Sequence, residues 1–89
     1  MRAIITVIGK DKVGIVAGIT TELTKYNINI IDINQTIMEE FFTMVLMVDL
    51  SKAKESFDEI KNALVLEGKS LGVDVKIQRE EIFNSMHTV

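Results

Sequence analysis

The hydrophobic period of this sequence changes once between residues 7 and 17, and that change limits the folds open to the chain. Residues 3–8 (Ala-Ile-Ile-Thr-Val-Ile) are rich in β-branched side chains and predict a strand. Beyond the junction, apolar residues recur at helical spacing, at Ile15, Val16, Ile19, Leu23 and Tyr26. A strand that leads through a short turn into an amphipathic helix predicts a layered fold containing both helices and a sheet.

The junction itself carries Gly9, Asp11 and Gly14. Asp11 is able to cap the helix, and Gly14 is predicted inside the first helical turn, where glycine costs about 1 kcal/mol relative to alanine. Gly14 therefore either admits a ligand close to the backbone or eases packing of the helix on a strand. A first helical turn offers unpaired N–H groups and a partial positive charge, which suit a carboxylate or phosphate. We expect this turn to be the ligand-facing edge of the protein.

The rest of the chain is predicted to contain three more strands and two more helices. Strands are expected at 28–38, 41–50 and 73–78, and helices at 52–71 and 80–87. Asn27 is expected to end the first helix, Glu39-Glu40 to form a hairpin turn, Ser51 to cap the second helix and Gly72 to end it. Gly68 interrupts the apolar face of the second helix, either because the helix passes close to the sheet or because it ends there.

The resulting order, βαββαβ plus a tail, predicts a single α+β domain over residues 1–89 with a ferredoxin-like fold. Right-handed crossovers would place both helices on one face of a four-stranded antiparallel sheet, with the short terminal helix in addition. The first and third strands are apolar on both faces and are expected in the centre. The second strand is interspersed with polar residues and the fourth alternates cleanly, as edge strands do.

A two-layer fold of this kind leaves one sheet face without helices. Alternate residues of the first strand, together with Phe41, Val45 and Met47 of the third, are expected to point there. Because exposed apolar patches of this kind usually mark an interface, either a partner subunit or the C-terminal helix is expected to cover this face. We expect the protein to self-associate, most simply as a dimer.

Composition narrows the classes of function. The formal charge of −3 argues against a nucleic-acid partner, and the absence of cysteine excludes a disulfide framework, a thiolate metal site and a cysteine nucleophile. No apolar run approaches the 18 or more residues of a membrane span. We therefore expect a soluble cytoplasmic protein with no membrane or nucleic-acid partner.

Catalytic residues are not predicted. His87, the single histidine, lies three residues from the end, no cluster has metal-ligand spacing, and the pairs Glu39-Glu40 and Glu80-Glu81 are best explained as solvated turns. A metal-carrying domain of this topology would need a Cys-x-x-Cys loop, and an acylphosphatase a catalytic arginine in its anion-binding loop. An RNA-recognition module would need basic neighbours beside Phe41 and Phe42, where Glu39 and Glu40 stand instead. We expect no enzyme activity, no cofactor and no metal site.

The polar residues of the second strand, Asn29, Asp32, Asn34 and Gln35, allow two interpretations. An exposed edge strand tolerates them simply because it is solvated. Alternatively they line a cleft against the first helical turn, where Asp32 or an Asn carbonyl would meet an ammonium group while backbone N–H groups of residues 12–15 hold a carboxylate. A site with acceptors for an ammonium group opposite donors for a carboxylate matches the two charged groups of a free amino acid.

Four segments carry a resemblance to a known family. They are residues 9–16 (Gly-Lys-Asp-Lys-Val-Gly-Ile-Val), 27–35 (Asn-Ile-Asn-Ile-Ile-Asp-Ile-Asn-Gln), 42–44 (Phe-Thr-Met) and 80–83 (Glu-Glu-Ile-Phe). With the βαββαβ order, they make the chain resemble an ACT domain, more narrowly the stand-alone single-ACT proteins. It is similar also to the ACT units of the glycine-cleavage regulator and of formyltetrahydrofolate deformylase. The resemblance covers nearly the whole chain.

The resemblance implies a regulatory module that binds a small molecule, commonly an amino acid, at an interface between ACT units. The expected ligand-binding residues are Asp11, Lys12, Val13, Gly14, Ile15 and Val16 in the first loop and turn, and Asn29, Ile30 and Asp32 at the start of the second strand. The module would act on a regulated protein partner as a homo-oligomer. The alternative is a ligand-free structural module for oligomerisation or protein interaction.

Overall fold

The computed structural model of the protein describes residues 1–10 and 13–81, which form four strands and two helices in the predicted order. The strands are β1 (Arg2–Lys10), β2 (Asn29–Met38), β3 (Phe41–Asp49) and β4 (Val73–Arg79), and the helices are α1 (Ile15–Lys25) and α2 (Phe57–Leu71). The predicted α+β ferredoxin-like class is confirmed. Most of the predicted terminal helix, and with it His87, lies outside the described residues, as do Asp11 and Lys12.

The four strands form one antiparallel sheet in the order β2-β3-β1-β4. The prediction of β1 and β3 as central strands and of β2 and β4 as edges is therefore confirmed. Because β1 and β2 both pair with β3, they run parallel to each other with β3 between them. Helix α1, which connects β1 to β2, accordingly lies on the β2 side of the helical layer, and α2 lies on the β4 side.

The core lies between the sheet and the two helices. Ala3, Ile5 and Val7 of β1 are fully buried there, while the residues between them face the other side of the sheet. The helices and the other strands complete the core with Ile15, Ile19, Leu23, Met44, Leu46, Val48, Ile60, Leu64, Val75 and Ile77. Among the described residues both helices cover this one face, and we call the opposite face of the sheet the open face.

The C-terminal end of α1 lies at the predicted residue, whereas the N-terminal end differs from the prediction. Asn27 follows the helix with a φ of 56°, in the left-handed conformation expected of a terminator. At the other end the N-cap is Gly14 itself, with φ 95° and ψ −2°, so this glycine precedes the first turn instead of lying inside it. Glycine has no side chain with which to cap the helix, and the predicted cap Asp11 lies outside the described residues.

Helix α2 begins five residues later than predicted, because Ser56 and not Ser51 caps it. The Ser56 hydroxyl accepts a hydrogen bond from the backbone N–H of Glu59 at 3.2 Å, and the Glu59 carboxylate lies 3.2 Å from the same hydroxyl. Ser51 instead bonds Asp49 through both its backbone N–H and its hydroxyl. The spacing Ser56-x-x-Glu59 is that of a capping box, the signal that places the helix start here.

Gly68 lies within α2, which continues to Leu71, so the interpretation of a close helix–sheet contact is confirmed and that of a helix end is wrong. A Cβ at Gly68 would lie 2.5 Å from Val75 Cγ2 and 3.0 Å from the Val73 carbonyl oxygen. The helix therefore rests directly on β4 at this position.

A register shift in β2 decides which way its polar residues point. Ile30 pairs with Val48 but Asp32 pairs with Met47, so Ile31 is an extra residue, a β-bulge. The bulge reverses the alternation, which turns Asp32, Asn34 and Thr36 to the open face and Ile33 to the helical side.

Candidate functional site

The first turn of α1 follows an N-cap residue, Gly14, that has no side chain. Among the described residues, no atom lies within 4 Å of a Cβ added at Gly14, and the preceding Val13 is fully exposed. Of the two explanations for this glycine, easier packing on a strand is therefore wrong. The positive φ of 95° is what requires glycine, and glycine brings no side-chain acceptor to the N–H groups of the first turn.

Within one chain, the two predicted halves of the ligand site do not meet. Helix α1 begins at the end of the sheet where Lys10 of β1 pairs with Phe41 of β3. Asn29 lies at the opposite end of the strands, paired with Asp49. The 11-residue helix between them is about 16 Å long. One chain alone therefore does not join the first turn to the start of β2, and the site expected at an interface between two units stays a prediction.

A small polar pocket lies at the start of β2, beside the C-terminal end of α1. Its volume is about 280 Å³ and it is lined by Thr24, Asn27, Ile28, Asn29 and Lys52, a set we call the β2-start pocket. Of the predicted ligand residues it contains Asn29, while Ile30 packs against the core. Sequence reasoning missed Thr24 and Lys52, which lie in a helix and a loop outside the matching segments.

Asp32 belongs to a different surface. Its carboxylate accepts a hydrogen bond of 2.9 Å from the backbone N–H of Ile33, and its side chain faces the open face. There it lines a shallow groove of about 430 Å³ with Asn34 and Thr36 of β2, and with Ile4, Thr43, Val45 and Met47 of the two central strands. We call this cavity the open-face groove. Asp32 thus lines the open-face groove, whereas Asn29 lines the β2-start pocket.

Strand β2 is an unprotected sheet edge. Nine of its ten residues are exposed, including Ile31, Ile33, Ile37 and Met38. Asp32 is its only charged residue and it contains no proline. The opposite edge, β4, has seven residues and carries Asp74, Lys76 and Arg79. Edge strands that must stay unpaired are usually short, charged or interrupted, so β4 has the character of a free edge and β2 that of a pairing edge.

The charged contacts of the described residues are structural. Hydrogen bonds from Ser51 lower the pKa of the Asp49 carboxyl, and the hydrogen bond and charge of Glu22 raise the pKa of Lys25, whose Nζ lies 3.0 Å from that carboxylate. Arg2 pairs with Glu80 at 2.8 Å. Residues 1–10 and 13–81 contain no group of three or more His, Asp or Glu placed to hold a metal ion, and no helix among them is long and apolar enough to cross a membrane.

Comparisons with known proteins agree with this geometry. The ACT domain family model matches residues 2–78. A UPF0237 protein of Clostridium acetobutylicum is 60% identical over 89 residues, which cover 100% of both chains. The solved structure of an ACT domain protein from Streptococcus pneumoniae matches with a TM-score of 0.83 and 44% identity over 93% of both chains. A formyltetrahydrofolate deformylase from Pseudomonas syringae shares the fold, with a TM-score of 0.79 and 21% identity over 88% of this chain and 27% of its own. The resemblance drawn from the four sequence segments is confirmed.

Proposed function

Because this chain belongs to the ACT-domain family, we propose that it is a regulatory module that binds a small molecule, an amino acid by the polarity of the site, and acts as a homodimer. It would work without catalysis, by changing the stability of one quaternary arrangement when the ligand binds. The observation that carries the proposal is the first turn of α1 behind Gly14, because an N-cap residue without a side chain puts no acceptor of its own on N–H groups that suit a carboxylate.

Two copies joined along β2 would unite the halves of the site that one chain keeps apart. A two-fold axis perpendicular to the sheet pairs β2 with β2 of the second copy in antiparallel fashion. Since α1 lies on the β2 side of the helical layer, the two α1 helices then run side by side in opposite directions. The N-terminus of one α1 therefore comes next to the β2-start pocket of the other copy.

The chemistry of this composite site suits a zwitterion. The first turn of α1 offers N–H donors and the positive end of the helix dipole to a carboxylate. Across the seam, the Thr24 hydroxyl and the amide oxygens of Asn27 and Asn29 are acceptors for an ammonium group. Regulation follows because a ligand held by both copies stabilises only the paired arrangement.

The proposal is tested by thermal unfolding of the full chain against each of the twenty common amino acids. A ligand at a hundredfold excess over its Kd adds about 2.7 kcal/mol of stability, which raises the Tm of a domain this small by roughly 10 °C or more. Gly14→Leu should abolish that shift, because the side chain covers the first-turn N–H groups. Gly72→Ala is the control: it places similar backbone strain, at φ 78°, at the end of α2 and should keep the shift.

Absence of a shift with every amino acid, or a shift that Gly14→Leu leaves intact, would contradict the proposal. In the first case the ligand-free oligomerisation module, predicted as the alternative, would account for the exposed β2 edge by itself.

A further inference from the structure

The open face of the sheet carries apolar side chains in its centre and polar ones along both flanks. Ile4, Ile8, Phe41, Val45 and Met47 come from the central strands β1 and β3. Of these Ile8, Phe41 and Val45 are 48, 49 and 37% exposed. Asn34 and Thr36 lie on the β2 flank, and Asp74 and Lys76 on the β4 flank. A patch with this arrangement has the anatomy of an interface, with an apolar centre and a polar rim.

We propose that this open face packs against the open face of a second copy of the chain, as two stacked sheets. The contact is separate from the seam along β2 and requires no ligand. Aligned sheet packing places two such layers about 10 Å apart, which is the distance at which side chains of facing strands interdigitate.

The strand register gives the alignment in which the two faces are complementary. The side chains on the open face form rows across the sheet: one row runs Asn34, Val45, Thr6, Lys76, and the next runs Thr36, Thr43, Ile8, Asp74. Consider a two-fold axis that lies between the two stacked sheets, runs perpendicular to the strands and passes between these two rows. Rotation about this axis places the row of Lys76 over the row of Asp74 of the second copy, and the reverse. Lys76 then faces Asp74 of the partner subunit, and Asp74 faces the partner's Lys76.

The same axis pairs further positions favourably, while at the ends of the face it sets Asp32 over the partner's Met38 and Lys10 over the partner's Ile4. Asn34 comes to face Thr36 of the partner subunit as a hydrogen-bonding pair, and Ile8 comes to face the partner's Thr6. The next rows outward bring Met47, whose sulfur accepts a hydrogen bond from Arg2, over the partner's Phe41. Shifting the axis onto either central row would set Lys76 against Lys76 or Asp74 against Asp74, which like-charge repulsion disfavours.

Area and symmetry set the strength and the use of this contact. Four strands at about 4.8 Å spacing and seven residues at about 3.3 Å give roughly 440 Å² of flat area per copy, below the 800 Å² per partner of a standard stable interface. The contact is therefore a weak one that forms as concentration rises. Its axis is perpendicular to the axis of a β2 seam, so the two contacts together close into a four-copy assembly when the axes intersect.

Sedimentation equilibrium of the ligand-free full chain between 1 and 500 μM tests the proposal. The mass should rise with concentration, and Lys76→Glu should weaken this association at least tenfold because it faces Asp74 of the partner subunit. The double variant Lys76→Glu/Asp74→Lys restores the opposite charges and should restore association. Phe41→Ala should weaken association similarly, while Leu66→Ala, which removes a 65% exposed side chain from α2, should not.

An average molar mass that stays constant over this range would overturn the proposal. The face would then be covered by another protein or by the C-terminal residues of the chain, and not by a second copy. Failure of the charge exchange to restore association would overturn the alignment and with it the proposed contact. Since no ligand is present, either result leaves the test of amino-acid binding unaffected.

Discussion

Two helical glycines differ in what an added methyl group would meet, and this difference predicts opposite effects. At Gly68 a Cβ would lie 2.5 Å from Val75 Cγ2 and 3.0 Å from the backbone oxygen of Val73, neither of which moves freely. We expect Gly68→Ala to lower the free energy of unfolding by roughly 1–3 kcal/mol, because overpacking outweighs the gain in helix propensity. Urea denaturation measures the change.

Gly18→Ala is the matched variant on α1. Its Cβ would lie 2.8 Å from Leu71 Cδ1, the far end of a flexible and half-buried side chain. Leu71 can therefore rotate away, and the gain of about 1 kcal/mol in helix propensity should leave this variant as stable as the wild type or more so. If Gly18→Ala lowered the free energy of unfolding as much as Gly68→Ala, the difference between a flexible and a rigid neighbour would not decide the effect.

The structural role of a single residue was predictable where its side-chain type determines that role. It was not predictable where the path of the surrounding backbone determines it. Asn27 was recognisable as a terminator because asparagine tolerates the left-handed region that ends a helix. Gly14 was recognisable as unusual, but its role as an N-cap with φ 95° depends on the path of the loop, which the sequence pattern does not contain.

At the scale of elements, the capping box of α2 gives the next prediction. We expect Ser56→Ala to cost about 1 kcal/mol of unfolding free energy, because the backbone N–H of Glu59 loses its acceptor at the helix N-terminus. Ser70→Ala removes an exposed serine from the last turn of the same helix, far from the N-cap, and should cost nothing. A Ser56→Ala variant as stable as Ser70→Ala in urea denaturation would mean that the cap does not determine the start of α2.

Hydrophobic period was sufficient to predict every strand and both helices, and to place β1 and β3 in the centre. It was insufficient where one residue changes the phase, as at the bulge of β2. Without Ile31 as an extra residue, Asp32 would point toward the helices, where the sequence-based hypothesis placed it near the first turn. The start of α2 was misplaced because Ser51 and Ser56 both suit a cap, and only the glutamate three residues after Ser56 distinguishes them.

At the scale of the whole molecule, the sequence identified the parts of the candidate site but not their separation. Gly14 and Asn29 are fifteen residues apart in the chain, yet they lie at opposite ends of α1. Their union depends on a second copy, and symmetry between copies leaves no local pattern in one sequence. Only the exposed β2 edge, read from the folded chain, indicates how the second copy would be placed.

That arrangement makes a prediction about mixed dimers. Gly14→Leu blocks the first turn of α1, and Asn29→Trp fills the β2-start pocket, so each variant alone should lose the ligand response. In a mixed dimer one site combines both substitutions, whereas the other combines the intact turn of one copy with the intact pocket of the other. Random exchange after unfolding and refolding an equal mixture should therefore recover about one quarter of the wild-type binding sites, counted by calorimetric titration with whichever amino acid stabilises the wild type. A mixture that recovers no sites would place the complete site within a single chain, and the composite site would then be wrong.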